Sequence, residues 1–193
     1  MPVKIVHSNH VEIMGFGCVL ITSPSATADL DVGQIAEEAA LTARAFAVIG
    51  KPTKDSAGPG SEQSTDHGLR AAIEGFLVED GVKYVLQIRG KIEPGIEVGM
   101  MRGKTCSDST LELVKSRLEK EFTVTLNDKQ GEGQPNSLTD IYSRKNENGE
   151  FLVETVRVSF GGEERQFSKE KVISVIAEIA DLLNGRVGSS LAD

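Results

Sequence analysis

Apolar and polar positions alternate with period two along Tyr84–Arg89: Tyr84, Leu86 and Ile88 fall on one side, Val85, Gln87 and Arg89 on the other. Ile96, Val98 and Met100 continue the alternation. That period marks strands, and the pattern predicts a sheet buried on one side. The period then changes to 3.6. Leu111, Val114, Leu118 and Phe122 follow the capping box Ser109-Thr110-Leu111-Glu112, which predicts a helix beginning near Ser109. Val172, Ile173, Ile176, Ala180 and Leu183 predict a second helix beginning near Ser168 and stopped by Asn184-Gly185. Ahead of the helices lie the glycine turns Asp80-Gly81, Glu93-Pro94-Gly95, Asn148-Gly149 and Gly161-Gly162, the kind that supply the positive φ of tight hairpins. Two stretches, from Gly75 and from Ile141, thus follow one plan: a glycine-turn hairpin, a further strand and an amphipathic helix. Glu150–Phe160 reads as a long strand, and Thr123–Leu126 as a short returning one.

The N-terminal part predicts strands at Val3–His7 and Val11–Thr22, the second bent or bulged at Gly15 and Gly17. Asp31 is placed to cap a helix over Val32–Ile49, whose Ile35, Ala39, Ala43, Phe46 and Ala47 form a narrow stripe, with Gly50 and Pro52 ending it. Residues 51–68 hold almost nothing apolar and read as a loop or linker, functional or mobile; 127–137 read as a second polar loop, and 189–193 as a fraying tail. The expected fold is α+β: antiparallel sheet with three main amphipathic helices, an N-terminal ββα segment (1–50), the polar loop (51–68) and two ββ(β)α-like units (69–127 and 138–185), packed as one globular domain.

Composition narrows the function. With 193 residues and 39% hydrophobic content the chain can bury a real core, and with no tryptophan that core must be aliphatic. Few aromatic residues argue against a base-stacking platform, and a net charge of −8 argues against nucleic-acid partners. The start Met1-Pro2-Val3-Lys4-Ile5 lacks a signal-peptide core, and no apolar run suits a membrane span. Cys18 and Cys106 are too few for a disulfide framework, so a cytoplasmic chain with reduced thiols is expected.

Candidate chemistry is sparse. Cys106 lies just ahead of a predicted helix N-terminus, where the dipole and Lys104 would favour a thiolate, and His67 with Asp66 is the base such a nucleophile would need. Against that, free cysteine is commonly a small buried hydrophobe; the polar neighbours Thr105, Ser107 and Asp108 lead us to expect it partly accessible and not catalytic. Lys83, Arg89, Lys91, Arg102 and Lys104 form a locally basic stretch, either a site for an anionic ligand or a solvated sheet face. His7 and His10 read as a chance pair, since no nearby carboxylate cluster completes a ligand set, and no metal or cofactor is expected. Gly15-Phe16-Gly17 is not a dinucleotide fingerprint, and no phosphate-loop motif is present. Glu37-Glu38 and Glu163-Glu164 read as solvated carboxylates.

Gly103-Lys104-Thr105-Cys106 with Thr110 and Leu113, behind a glycine-turn hairpin, resembles a family of short bacterial proteins of unknown function with a Gly-x-x-Cys-x-x-x-Thr helix start. The resemblance covers about a quarter of the chain and implies the ββα reading there. With so few catalytic motifs, the first expectation is a non-enzymatic protein that binds a macromolecule or assembles with itself, in a bacterial or phage system, since antiparallel edges suit association. The alternatives are a small enzyme using Cys106 or a carboxylate in a cleft beside 51–68, and a sensor of an anionic small ligand.

Overall fold

The computed structural model describes residues 1–24, 30–51, 67–99, 104–127 and 142–189. Their strands are β1 (Val3–Val6), β2 (His10–Met14), β3 (Val19–Ser23), β4 (Phe46–Gly50), β5 (Tyr84–Gly90), β6 (Ile96–Gly99), β7 (Val124–Leu126), β8 (Arg144–Lys145) and β9 (Phe151–Phe160). Their helices are α1 (Leu30–Ala43), α2 (His67–Glu79), α3 (Asp108–Glu119), α4 (Gly162–Phe167) and α5 (Lys169–Ser189). The α+β class expected from the sequence is the one found, built on a mixed sheet of order β1-β2-β4-β3-β5-β9-β6-β7, with β8 paired to β9. The centre β4-β3-β5-β9 is parallel, while β1, β2 and β6 run antiparallel to their neighbours towards the centre. Among the described residues no helix is long and apolar enough to cross a membrane.

Several local expectations change. Val11–Thr22 is two strands separated in the sheet by β4, not one bulged strand. Gly15 sits where the chain leaves β2 and presses on the α1–β4 junction: a Cβ there would lie 2.2 Å from the Ala45 carbonyl carbon. The helix expected over 32–49 ends at Ala43, because Arg44 takes φ 55° and Phe46–Gly50 becomes a fully buried strand. Alanine fits either element; the run Phe-Ala-Val-Ile favours the strand. The hairpin expected around Asp80-Gly81 is instead the end of α2: Asp80 N–H donates to the Phe76 carbonyl, and Gly81 at φ 68° closes the helix. Leu69, Ile73 and Phe76 form the buried face of α2. The helix near Ser109 starts one turn position earlier, with Ser107 as N-cap accepting from the Thr110 amide. The hairpin at Asn148-Gly149 is present, joining β8 to β9 with Gly149 at φ 82°. The final helix continues past Asn184-Gly185 to Ser189. Most of 51–68 and of 127–137, together with Asp66, Met100 and Arg102, lies outside the described residues.

The sheet has two unlike faces. On one, Ile13, Val19, Ile21, Ala47, Leu86, Ile88, Val156, Val158 and Phe160 pack beneath α1, α3 and α5 in an aliphatic core. On the other, α2 covers Leu20, Phe46, Val48, Val85 and Val153, which lie towards the amino ends of the parallel strands. Further along those strands the same face is polar and still buried: Thr22, Gln87, Arg89, Arg157 and Ser159.

Candidate metal centre

In an open parallel sheet, ligands bind beyond the carboxyl ends of the strands, where neighbouring connections diverge. Here the divergence is at β3. From β3 the chain passes through α1 on the aliphatic face to β4 on one side; from β4 it passes through α2 on the opposite face to β5 on the other side. The carboxyl ends of β3, β5 and β9 carry Ser23, Arg89 and Ser159. Ser23 is fully buried, and its Oγ has no hydrogen-bond partner.

At this same edge, beyond the end of β4, lies the turn between β1 and β2. His10 opens β2 opposite Gly50, the last residue of β4. Because side chains alternate across a strand, His10 and Glu12 share the α2 face of the sheet with Thr22, Gln87 and Arg89, whereas Val11 and Ile13 enter the aliphatic core. The turn is pinned to the end of β4: Lys51 N–H donates to the Asn9 carbonyl at 2.8 Å, and Lys51 Nζ donates to the His7 carbonyl.

Three ligand atoms converge there. The nitrogens of His7 and His10 and a carboxylate oxygen of Glu12 all lie within 4.8 Å of one another. His10 Nε2 is 2.8 Å and His7 Nε2 3.2 Å from Glu12 Oε1, and the imidazoles stack with centroids 4.3 Å apart. His10 is 5% exposed, whereas the His7 side chain, at 40%, keeps the cluster open to solvent. On the far side of His10, Nδ1 is 2.7 Å from Asn9 Oδ1, an oxygen that can only accept, so Nδ1 carries the hydrogen. On the near side, Nε2 faces the Glu12 carboxylate. The Asn9 contact is also the outer hydrogen bond that typically orients a metal-binding imidazole.

From the sequence His7 and His10 read as a chance pair with no metal expected, and Glu12 was passed over because a carboxylate cluster was sought rather than a single carboxylate two residues on; the structure brings the three together. In a strand, residues two apart share a face, so His10-x-Glu12 was the signal available.

The residues singled out from the sequence do not assemble. Cys106 is 1% exposed within the aliphatic core, correcting the expectation of an accessible thiol, and burial together with Glu154 and Asp108 pushes its pKa up to about 12. A thiol so placed is no nucleophile near neutral pH. His67 is the first residue of α2, and Asp66 lies outside the described residues. The basic stretch does not form one surface: Lys83 is exposed just ahead of the amino end of β5, Arg89 is buried near its carboxyl end, Lys91 follows the strand and Lys104 is exposed before α3. Arg102 lies outside the described residues.

The sequence matches no protein-family model and no curated protein. Solved structures do match. A bacteriophage poly-γ-glutamate hydrolase aligns over 94% of this chain and 92% of its own, with a TM-score of 0.60 and 11% identity. The fold is shared with hydrolases. YNDL in its zinc-free apo form aligns over 91% of each chain, with a TM-score of 0.53 and 13% identity. A protein from Shewanella denitrificans assigned to the carboxypeptidase A class aligns over 92% of this chain and 59% of its own, with a TM-score of 0.50 and 14% identity. At such identities the likeness is one of fold. It corrects the expectation of a non-enzymatic binding, assembly or sensing protein, because the fold is one that a poly-γ-glutamate hydrolase also has.

Proposed function

We propose that the protein is a metal-dependent hydrolase of amide bonds, with His7, His10 and Glu12 as the metal ligands. The observation that carries the reading is the convergence of two imidazoles and one carboxylate at the carboxyl edge of the parallel sheet. Two histidines and a glutamate, with the fourth position left to water or substrate, are the donor set of several zinc peptidases. The donors fit such an ion. Ligands about 2.1 Å from a tetrahedral zinc stand about 3.4 Å apart; the His7–Glu12 separation, 3.2 Å, is close to that spacing, and the His10–Glu12 separation, 2.8 Å, is a hydrogen-bond distance that would open to admit the ion. By contrast, Ser23, Arg89 and Ser159 at the strand ends nearest the switch point offer no such donors.

A bound zinc ion supplies Lewis-acid polarisation of the scissile carbonyl and an acidified water. The chain's own residues prepare the place for it. Asn9 fixes the His10 tautomer so that Nε2 faces inward, and Lys51 ties down the backbone of the turn that carries His7 and Asn9. His7, half-exposed, marks the side from which substrate enters. The substrate class follows the named activity of the bacteriophage neighbour: an amide polymer bearing free carboxylates.

The test is hydrolysis of poly-γ-glutamate and of unblocked peptides by the zinc-supplemented protein. Chain shortening that stops on chelation and is absent in His10→Ala supports the reading. No cleavage by the zinc-loaded wild type, or undiminished cleavage by His10→Ala, overturns it.

A further inference from the structure

Of the three residues in the cluster, two are fixed by strand pairing and one is not. His10 and Glu12 belong to β2, which lies between β1 and β4: Glu12 stands opposite Ile5 on one side and Val48 on the other, and His10 opposite Gly50. His7 follows the last residue of β1, an edge strand whose four residues are all exposed and whose neighbour in the sheet is β2. The end of such a strand opens at little cost unless something ties it down. Two contacts of its own backbone hold His7 in place. Its N–H donates to the His10 carbonyl at 2.9 Å, and its carbonyl accepts from Lys51 Nζ. Lys51 is the first residue after β4 and is partly exposed, and its backbone N–H holds the Asn9 carbonyl at 2.8 Å. The main chain of Lys51 thus supports the His10 side of the turn, through Asn9, and its side chain supports the His7 side. Packing does little for the His7 ring beyond its stack on His10, since its side chain is 40% exposed against 7% for His10.

We propose that Lys51 is a positioning residue for the metal site: its ammonium group acts on the ion only through the backbone of His7, turning a pair of strand-borne ligands into a three-ligand site. The inference rests on the metal reading above and adds to it that the affinity is set from the end of β4, forty-four residues along the chain from His7. Hydrogen bonds with a charged donor are the stronger kind, and this one restrains the only ligand that no strand holds. A second effect runs the other way. The ammonium carries the same sign of charge as the ion, so the charge alone would weaken binding. Lys51 is partly exposed, and solvent screens that repulsion while the tie to the His7 carbonyl stays local. The tie and the charge predict opposite results for loss of the side chain, and the exposure decides for the tie.

The experiment measures zinc affinity of the full chain by competition with a chelator, and from the His10 imidazole resonances for variants that bind too weakly to compete. Lys51→Met should weaken zinc binding about fivefold or more, with an unchanged melting curve for the metal-free protein. Lys51→Arg, which keeps a charged donor, should stay within about threefold of the wild type. Lys83→Met, at the opposite edge of the sheet, should stay within about twofold. In the His7→Ala background, Lys51→Met should cost less than about twofold more, because a residue that acts through His7 then has nothing left to act on. Unchanged or tighter zinc binding by Lys51→Met overturns the inference, as does a Lys51→Arg no better than Lys51→Met, or an undiminished Lys51→Met effect without His7. Zinc binding by the wild type that ignores Lys51 sinks this inference alone; no zinc binding by the wild type sinks the metal reading with it.

Discussion

The two faces of the sheet bury comparable lengths of strand and treat them differently. Under α1, α3 and α5 every inward position of β3, β5 and β9 named in the core is aliphatic or phenylalanine, whereas the α2 face changes half-way along the strands from Leu20, Val85 and Val153 to Thr22, Gln87, Arg89, Arg157 and Ser159. Burying polar groups where valine would serve costs stability, and chains retain such groups mainly where they act on something else. Unpartnered hydroxyls occur on both sides, Ser23 Oγ in alternation with Val19 and Ile21 on the aliphatic face and others on or near the α2 face. Thr105 Oγ1, Thr155 Oγ1 and the Tyr142 hydroxyl are buried without hydrogen-bond partners; Tyr142 belongs to the core of the α2 face, Thr155 lies in β9 between Val153 and Arg157, and the Thr105 carbonyl accepts from the Thr155 amide. On the reading proposed above, one face is the scaffold and the other is the working surface.

The largest effects should therefore come from the scaffold. Leu118→Ala in α3 and Ile176→Ala in α5 truncate fully buried side chains of the aliphatic core, and each should cost about 2–5 kcal/mol in denaturant unfolding. Losses below about 1 kcal/mol at both would show that this face is not the stabilising one.

Alkaline pH separates the faces more finely. Burial raises Cys106 from 9.0 to about 12 and Tyr142 from 10.0 to about 12, the first in the aliphatic core and the second under α2. Both groups are neutral when protonated, and their folded-state values lie above the unfolded ones. The folded chain therefore keeps protons that the unfolded chain has already lost. Their contribution is fully present below about pH 9 and declines as the pH rises towards 12. A loss of about 4 kcal/mol by pH 11 is expected, with Cys106→Ala flattening the first part of the decline and Tyr142→Phe the later part. A stability curve that is level from pH 8 to 11 would contradict both placements.

Smaller still, and opposite in sign, is the effect of removing an unpartnered hydroxyl from the working side. Thr155→Val keeps the shape and replaces a buried, unsatisfied oxygen with a methyl group, so the protein should gain about 1 kcal/mol. A loss of similar size would mean that the hydroxyl has a structural partner and that the polar strip belongs to the scaffold.

How much of this could be read from the chain follows the same contrast. Helical period gave α3 and α5 on the right residues, since Leu111, Val114, Leu118, Val172 and Ile176 face one continuous core. The alternation along Tyr84–Arg89 assigned the two faces of β5 correctly, yet the strand is buried on both, because its neighbours β3 and β9 are parallel and distant in sequence. Nothing local distinguishes a buried polar face from a solvated one: Gln87 and Arg89 suit either. α2 was missed because Gly68 and Gly75 interrupt its pattern, and Asp80-Gly81 ends a helix with the same left-handed glycine that a hairpin would use. The candidate site was hidden for a related reason. His7 reaches His10 and Glu12 only once the turn closes, and the turn is held by Lys51, forty-four residues away.

The central claim is that His7, His10 and Glu12 hold a divalent ion, and calorimetric titration of the chelator-treated protein with zinc tests it most directly. The account predicts one equivalent bound by the wild type, none by His10→Ala or Glu12→Ala at the same concentrations, and unchanged binding by Arg89→Gln and Arg157→Gln. Zinc binding that survives both ligand substitutions, or its absence from the folded wild type, would contradict it.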